Sequence, residues 1–235
     1  MTEGEREAHK RAAARRALAF VEEGMAVGLG TGSTVRYVLE ELAAGRTEGR
    51  WLDLRCVATS RATEELAHAL ALPLSTLDEV PELDLAIDGA DEVDPERRLL
   101  KGGGGALLRE KIVAACARRL VVVVDASKRV ERLGARHPLP VEVDPFAIEP
   151  QRRFLLALGA HRVELRRDGA GRPYRTDGGH VILDAHFEGG VADPEALARR
   201  LADRPGVLEH GLFLGFAPTV VVGHGPTEAE TEVLG

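Results

Sequence analysis

Leu83-Asp84-Leu85-Ala86-Ile87-Asp88-Gly89-Ala90-Asp91-Glu92-Val93-Asp94, followed by Lys101-Gly102-Gly103-Gly104-Gly105-Ala106-Leu107-Leu108-Arg109-Glu110-Lys111, is the stretch from which the architecture of this chain is read. The run Leu83 to Ile87 has the apolar character of a buried strand. That strand ends by presenting two carboxylates, Asp88 and Asp91, around the Gly89-Ala90 turn. In open α/β sheets ligands bind beyond the carboxyl ends of the strands, where departing side chains converge. Four consecutive glycines after Lys101 suit no regular element, but they expose backbone N–H groups and allow close approach to a ligand. A helix is expected to start near Ala106.

On that helix, at about 100° per residue, Glu110 falls on one face with Leu107, Val113, Ala114 and Ala117. A carboxylate desolvated among apolar neighbours becomes a better proton acceptor near neutral pH. An ordinary ion pair with Arg109, Lys111 or a neighbouring element fits the same spacing equally well.

Outward from this stretch the chain alternates strands and helices. A helix over about Glu5 to Val21 ends at Gly24, and Met25 to Leu29 is the first strand. Gly30-Thr31-Gly32-Ser33-Thr34 then leads into a helix over about Val35 to Ala44. A strand, a glycine and hydroxyl turn and a helix start together make an anion-binding site. The spacing selects the anion. Ser33 stands where a dinucleotide fingerprint needs its last glycine or alanine, and no Lys-Ser/Thr pair makes a Walker loop. A single phosphate on Thr31, Gly32, Ser33 and Thr34 fits better, with a plain glycine turn as the alternative reading.

Leu54 to Ala58 is the next strand, and Ser60 caps a helix from Arg61 to Leu70. The β-branched run Leu120 to Asp125 reads as a buried parallel strand, and Lys128 adds a cation at its carboxyl end. The fold class is therefore α/β, a doubly wound, Rossmann-like parallel sheet. After Arg129 the texture changes. Prolines at 138, 140, 145 and 150 break the chain. The pattern becomes strand (141–143), helix (151–158), strand (161–165), turn (168–172), strand (181–187), helix (194–202), a smaller α+β unit with antiparallel pairing. Leu212-Phe213-Leu214 and Thr219 to Val222 are expected to return to the first sheet. The predicted division is a larger domain over 1–129 plus 207–235 and a small domain over 130–206.

Composition narrows the function. With 235 residues, 44% hydrophobic and 29% charged, the chain is of ordinary globular type. A net charge of −7 argues against a general nucleic-acid binder. No apolar run approaches the roughly 18 residues of a membrane span, and no signal-type apolar segment follows the charged N-terminus, so a cytoplasmic location is expected. Cys56 and Cys116 lie in apolar segments and are expected to be reduced. His180 and His186 are six apart, but no H-E-x-x-H or C-x-x-C accompanies them, and no G-x-S-x-G elbow is present, so neither a metal site nor a serine triad is expected.

A phosphate cradle, two aspartates, a lysine on a glycine loop and a glutamate with apolar neighbours suit proton transfer α to a carbonyl of a small sugar phosphate. One carboxylate shuttles the proton while a cation or hydrogen-bond donor stabilises the enediolate oxygen. The motifs G-L-G-T-G-S-T (from Gly28), D-G-A-D-E-V-D (from Asp88) and K-G-G-G-G-A-L-L-R-E-K (from Lys101), in this order, resemble the ribose-5-phosphate isomerase A family. The resemblance extends along the chain to Lys10, to D-A-S-K at Asp125 to Lys128, and to H-G-L-F at His210 to Phe213.

The resemblance implies interconversion of D-ribose 5-phosphate and D-ribulose 5-phosphate, a step of the non-oxidative pentose phosphate pathway, through a cis-enediolate. In it Glu110 matches the proton-transfer base, and Asp88, Asp91 and Lys101 match groups that bind the sugar hydroxyls, assist ring opening and stabilise the intermediate. Thr31, Gly32, Ser33 and Thr34, with Gly89, Ala90, Gly102, Gly103 and Gly104, complete the implied substrate-binding set, and Lys10 and Lys128 match cations at the phosphate end. It further implies a Rossmann-like domain with a smaller α+β domain, no metal or organic cofactor, and a homodimer or homotetramer. Two other readings compete: a deaminase of amino sugar phosphates or a CoA-transferase-like enzyme on the same scaffold, and a non-enzymatic sugar-phosphate sensor.

Overall fold

The computed structural model describes residues 2–235. Helix α1 (Glu3–Ala17), strand β1 (Ala26–Leu29), α2 (Ser33–Thr47), β2 (Arg55–Ala58) and α3 (Arg61–Ala69) come first. Then follow β3 (Leu85–Asp88), β4 (Glu92–Val93), β5 (Leu99–Leu100), α4 (Leu107–Cys116) and β6 (Leu120–Asp125). Next are β7 (Leu139–Val143), α5 (Ile148–Ala157), β8 (Arg162–Leu165), β9 (Val181–His186) and α6 (Pro194–Ala202). The last strands are β10 (Val207–His210), β11 (Leu212–Phe213), β12 (Thr219–Gly223) and β13 (Thr231–Leu234).

The chain divides into two compact units, one comprising residues up to 90, 109–128 and 216 onward, the other 91–108 and 129–215. This partition differs from the expected one at 91–108, at 129 and at 207–215, and strand pairing is the main reason. β5 pairs with β4 on one side and with β11 on the other, while β10 adds to β7. Leu212 and Phe213 therefore face Leu100 and Leu99 instead of rejoining the first sheet. Two-residue strands carry too little alternation to be read from sequence.

The first unit is built on a six-stranded sheet of order β13-β12-β6-β3-β1-β2, parallel except for β13 at the edge. Thr219 to Val222 thus do return to this sheet, beside β6. Val27, Leu29, Leu85, Ile87, Val121 and Val123 pack with Ala13, Ala14 and Ala17 of α1 and with Val35, Val38, Leu39 and Leu42 of α2. Gly28 faces the other way, toward Val113 of α4, so helices cover both faces. Helix α1 starts at a capping box in which the Thr2 hydroxyl accepts the Glu5 N–H and the Glu5 carboxylate accepts the Thr2 N–H. It stops at Ala17, earlier than expected, and Leu18–Phe20 continues as a 3₁₀ turn.

The second unit contains the antiparallel sheet β10-β7-β9-β8. One face follows the two-residue period: Leu139, Val141 and Val143 with Val181, Leu183 and Ala185 pack against Leu155 of α5 and Leu197 and Leu201 of α6. The alternate positions include Glu142 and Asp184. Helix α5 begins at Ile148, ahead of the expected Gln151. Pro150 sits in its first turn, where an N–H has no helical acceptor and its loss costs nothing. Helix α6 keeps its expected bounds because Asp193 caps it and Pro194 occupies its first position. Both cysteines are free thiols, Cys56 buried and Cys116 half-buried.

Candidate active site

In the first sheet β1 and β3 are neighbours, yet β1 leads outward to β2 and β3 leads the opposite way to β6. Their carboxyl ends form the topological switch point, the usual crevice for a ligand in such sheets. Asp88, 4% exposed, stands there. Its Oδ1 accepts the Thr31 N–H at 3.1 Å and the Gly89 N–H at 2.7 Å, and the Gly30 N–H donates to the Ile87 carbonyl at 2.9 Å. A Cβ at Gly30 would lie 2.1 Å from Asp88 Oδ1 and 2.6 Å from its Cα, so only hydrogen fits.

The side chain of Thr31 is turned inward. Its hydroxyl lies 2.8 Å from the hydroxyls of Thr59 and Ser60 and 3.1 Å from that of Thr63. The Thr63 hydroxyl donates to the Gly30 carbonyl at 2.8 Å, and Ser60 caps α3 through the Thr63 N–H. Thr31 thus spends its N–H and its hydroxyl on holding the turn in shape, whereas Gly32 and Ser33 are exposed. Helix α2 starts at Ser33, and its first helical bond runs from the Arg36 N–H to the Gly32 carbonyl. The N–H groups of Ser33, Thr34 and Val35 therefore lack a helical acceptor, as at any helix start, and are placed to receive an anion.

Sequence reasoning read Ser60 only as a helix cap and missed Thr59 and Thr63 altogether. Their hydroxyls follow β2, and only the adjacency of β1 and β2 brings them to Thr31. Thr63→Val strands the Gly30 carbonyl and should cost about 1–3 kcal/mol of stability by denaturant titration, with Thr63→Ser recovering most of it. An unshifted midpoint in the valine variant would show that the hydroxyl does not support the turn.

In the second unit Asp91 Oδ2 accepts the Gly103 N–H at 2.7 Å, and the Asp91 N–H donates to the Leu100 carbonyl at 2.8 Å. Lys101 is 3% exposed, its N–H donates to the Gly211 carbonyl at 2.9 Å, and its ammonium lies 5.4 Å from the ring centre of Phe213. The aromatic face favours a cation there. Tyr174 donates its hydroxyl to the Gly104 carbonyl at 3.2 Å. Burial, and then the charge of Asp177, hold its phenol above the ordinary range, so it remains a donor at neutral pH.

Glu110 is 5% exposed on α4, on a helix face it shares with the buried Leu107, Val113 and Ala114. Ala117, expected on that face too, is half-buried and lies beyond the end of the helix. Its carboxylate is thus withdrawn from the solvated surface of the helix. Lys128 is half-buried in the turn after β6. Lys10 is buried on α1 with its ammonium 2.7 Å from Glu7, whose other oxygen accepts the Tyr37 hydroxyl. Those two hydrogen bonds, the one from Lys10 first, keep Glu7 below the usual carboxylate range.

His180 stands just before β9 and meets Glu142 at 2.9 Å, while His186 meets Glu164 at 3.1 Å. Among the described residues no group of three His, Cys, Asp or Glu side chains is gathered as a metal site, and no helix is long and apolar enough to cross a membrane.

Residues 55–226 match the model of a family described as ribose 5-phosphate isomerase A (phosphoriboisomerase A). The chain is 56% identical over 214 residues to a ribose-5-phosphate isomerase A of Roseiflexus castenholzii, covering 91% of each protein. It is 51% identical over 232 residues to that of Methylorubrum populi, covering 96% of this chain and 97% of the relative. Among solved structures, a D-ribose-5-phosphate isomerase in complex with phospho-erythronic acid superposes with a TM-score of 0.91 at 38% identity, covering 96% of this chain and 97% of that one. The ribose 5-phosphate isomerase of Plasmodium falciparum gives 0.90 at 32% identity, with 97% and 98% covered.

Proposed function

Because the chain belongs to the ribose 5-phosphate isomerase A family, we propose that it interconverts D-ribose 5-phosphate and D-ribulose 5-phosphate through a cis-enediolate, with Glu110 as the base. Glu110 takes the proton from C2 of the open-chain aldose, and the C–H electron pair forms the C1=C2 bond as negative charge moves to the carbonyl oxygen. The same carboxyl returns the proton to C1, and the hydroxyl proton passes from O2 to O1, so the sum is a rearrangement with no net gain or loss. The observation that carries the base assignment is the burial of this carboxylate among aliphatic neighbours.

The other roles follow from chemistry. Asp88, held by two N–H donors, and Asp91, held by the glycine loop, are rigid acceptors for sugar hydroxyls and for the proton shifted on ring opening. Lys101 supplies the fixed positive charge for the enediolate oxygen. The turn Gly32 to Thr34, Lys128 and Lys10 bind the phosphate, with Lys10 shared between it and Glu7. Gly89, Ala90 and Gly102 to Gly104 line the sugar. The enzyme works in the cytoplasm as a homodimer or homotetramer and uses no metal or organic cofactor.

The test is conversion of ribose 5-phosphate by purified protein in excess EDTA, with gel filtration for assembly size. Substrate binding without turnover would favour the sensor reading, ammonia release from an amino sugar phosphate the deaminase reading, and loss of turnover in EDTA a metal-dependent one. Lys128→Ala is expected to raise KM about tenfold or more with little change in kcat, since a phosphate contact binds ground and transition states alike. An unchanged KM would remove Lys128 from the phosphate site.

A further inference from the structure

The guanidinium of Arg166, just past β8, meets both oxygens of Asp184 on β9: Nε to Oδ2 at 2.9 Å and Nη2 to Oδ1 at 2.5 Å. Its remaining nitrogen, Nη1, donates to the carbonyls of Gly102 at 2.8 Å and Gly103 at 3.1 Å. Both side chains are 15% exposed. A planar fork seated on a carboxylate is a fixed bracket, which a flexible lysine cannot reproduce.

The bracket has a consequence through the peptide plane. In a trans peptide the C=O and N–H of one unit point in opposite directions. The Gly102 carbonyl and the Gly103 N–H belong to one such unit, so pulling that carbonyl onto Arg166 sends the Gly103 N–H the other way, onto Asp91 Oδ2 at 2.7 Å. The Gly103 carbonyl on Arg166 likewise turns the Gly104 N–H away from the arginine. Within the run the Gly105 N–H also donates to the Gly102 carbonyl at 3.0 Å, but four consecutive glycines bring no side-chain barrier to a peptide flip. A cation behind the loop, with Tyr174 on the next carbonyl, sets which way the amides point.

We propose that Arg166, braced by Asp184, is a positioning residue of the isomerase: through the Gly102–Gly103 peptide it sets the orientation of the Asp91 carboxylate and turns the Gly104 N–H toward the substrate. The inference rests on the isomerase reading above. Nothing in the local sequence marks Arg166, one of a pair with Arg167, whose guanidinium donates to the nearby Gly171 carbonyl.

The experiment compares wild type, Arg166→Ala, Arg166→Lys and Asp184→Asn in ribose 5-phosphate turnover, with guanidinium or methylammonium chloride added at equal ionic strength. Arg166→Ala should lose about 30- to 100-fold in kcat, the scale of a misplaced catalytic group. Guanidinium should restore a measurable part of this loss and methylammonium none. Arg166→Lys should remain at least about tenfold impaired, because one point charge cannot hold the carboxylate and two carbonyls together. Asp184→Asn, which keeps the shape of the bracket, should lose several-fold in kcat and serves if the alanine variant does not fold. Near-normal kcat in a folded Arg166→Ala, or a loss that tracks lowered thermal stability and ignores guanidinium, would overturn the positioning role while leaving the isomerase reading intact. A wild type without turnover would instead overturn that reading and this inference with it.

Discussion

Replacing Glu110 by Gln is expected to lower kcat by roughly 10²–10⁴-fold, the contribution of a positioned general base, while substrate still binds. The substitution keeps size and hydrogen-bonding shape and removes the basic oxygen, so thermal stability should change little. Two measurements separate the roles. Turnover reports the base, and titration with substrate under conditions of negligible conversion reports binding. Solvent deuterium incorporation at the sugar carbons should fall with turnover, since both need the same proton abstraction. A variant that retains near-normal kcat would sink the assignment, however well it folds. If binding were lost along with turnover, Glu110 would be a ligand of the sugar rather than its base.

Gly30→Ala is expected to be nearly as damaging, for a purely geometric reason. Its new methyl would lie 2.1 Å from Asp88 Oδ1 and 2.6 Å from Asp88 Cα, and backbone cannot rotate out of the way as a side-chain end can. Either the ends of β1 and β3 part, breaking the Gly30–Ile87 and Thr31–Asp88 hydrogen bonds, or the Asp88 carboxylate leaves its two donors. Overpacking of this kind costs about 1–3 kcal/mol, sometimes more. For a chain of this size that is a fall of about 2–4 °C in Tm for each kcal/mol. A displacement near 1 Å at a catalytic group should cost on the order of 10²-fold in kcat/KM, well beyond what the stability loss explains. Calorimetry and kinetics on the same preparation check both numbers. An active, undestabilised variant would show that Asp88 need not be held where it lies.

The parts of this protein legible in its sequence are those whose signals are local. The valine run of β6, the Ser60 cap and the helix from Pro194 to Ala202 are written in a few adjacent residues, and the structure reproduces them. The turn from Gly30 to Thr34 was legible as a helix start, and Glu110 as a carboxylate on an apolar face, because helical periodicity alone determines which side chains share that face. Family-wide motifs then carried the reading from a chemical class to a reaction.

What the sequence could not supply depends on pairing between distant segments. Leu212 and Phe213 look like any short apolar strand, and only their partners at Leu99 and Leu100 keep them out of the first sheet. The inward turn of the Thr31 hydroxyl requires β2 to lie beside β1, which brings Thr59, Ser60 and Thr63 from about 30 residues away. Arg166 reaches the glycine loop across more than 60 positions. By itself the sequence determined the longer elements, the α/β class and the kind of chemistry, since these rest on periodicity, capping and residue type. Tertiary structure alone decided which hydroxyls, amides and guanidinium hold Thr31, Asp88 and the glycine loop in place, because hydrogen bonds are short and directional, and the groups they join are remote along the chain.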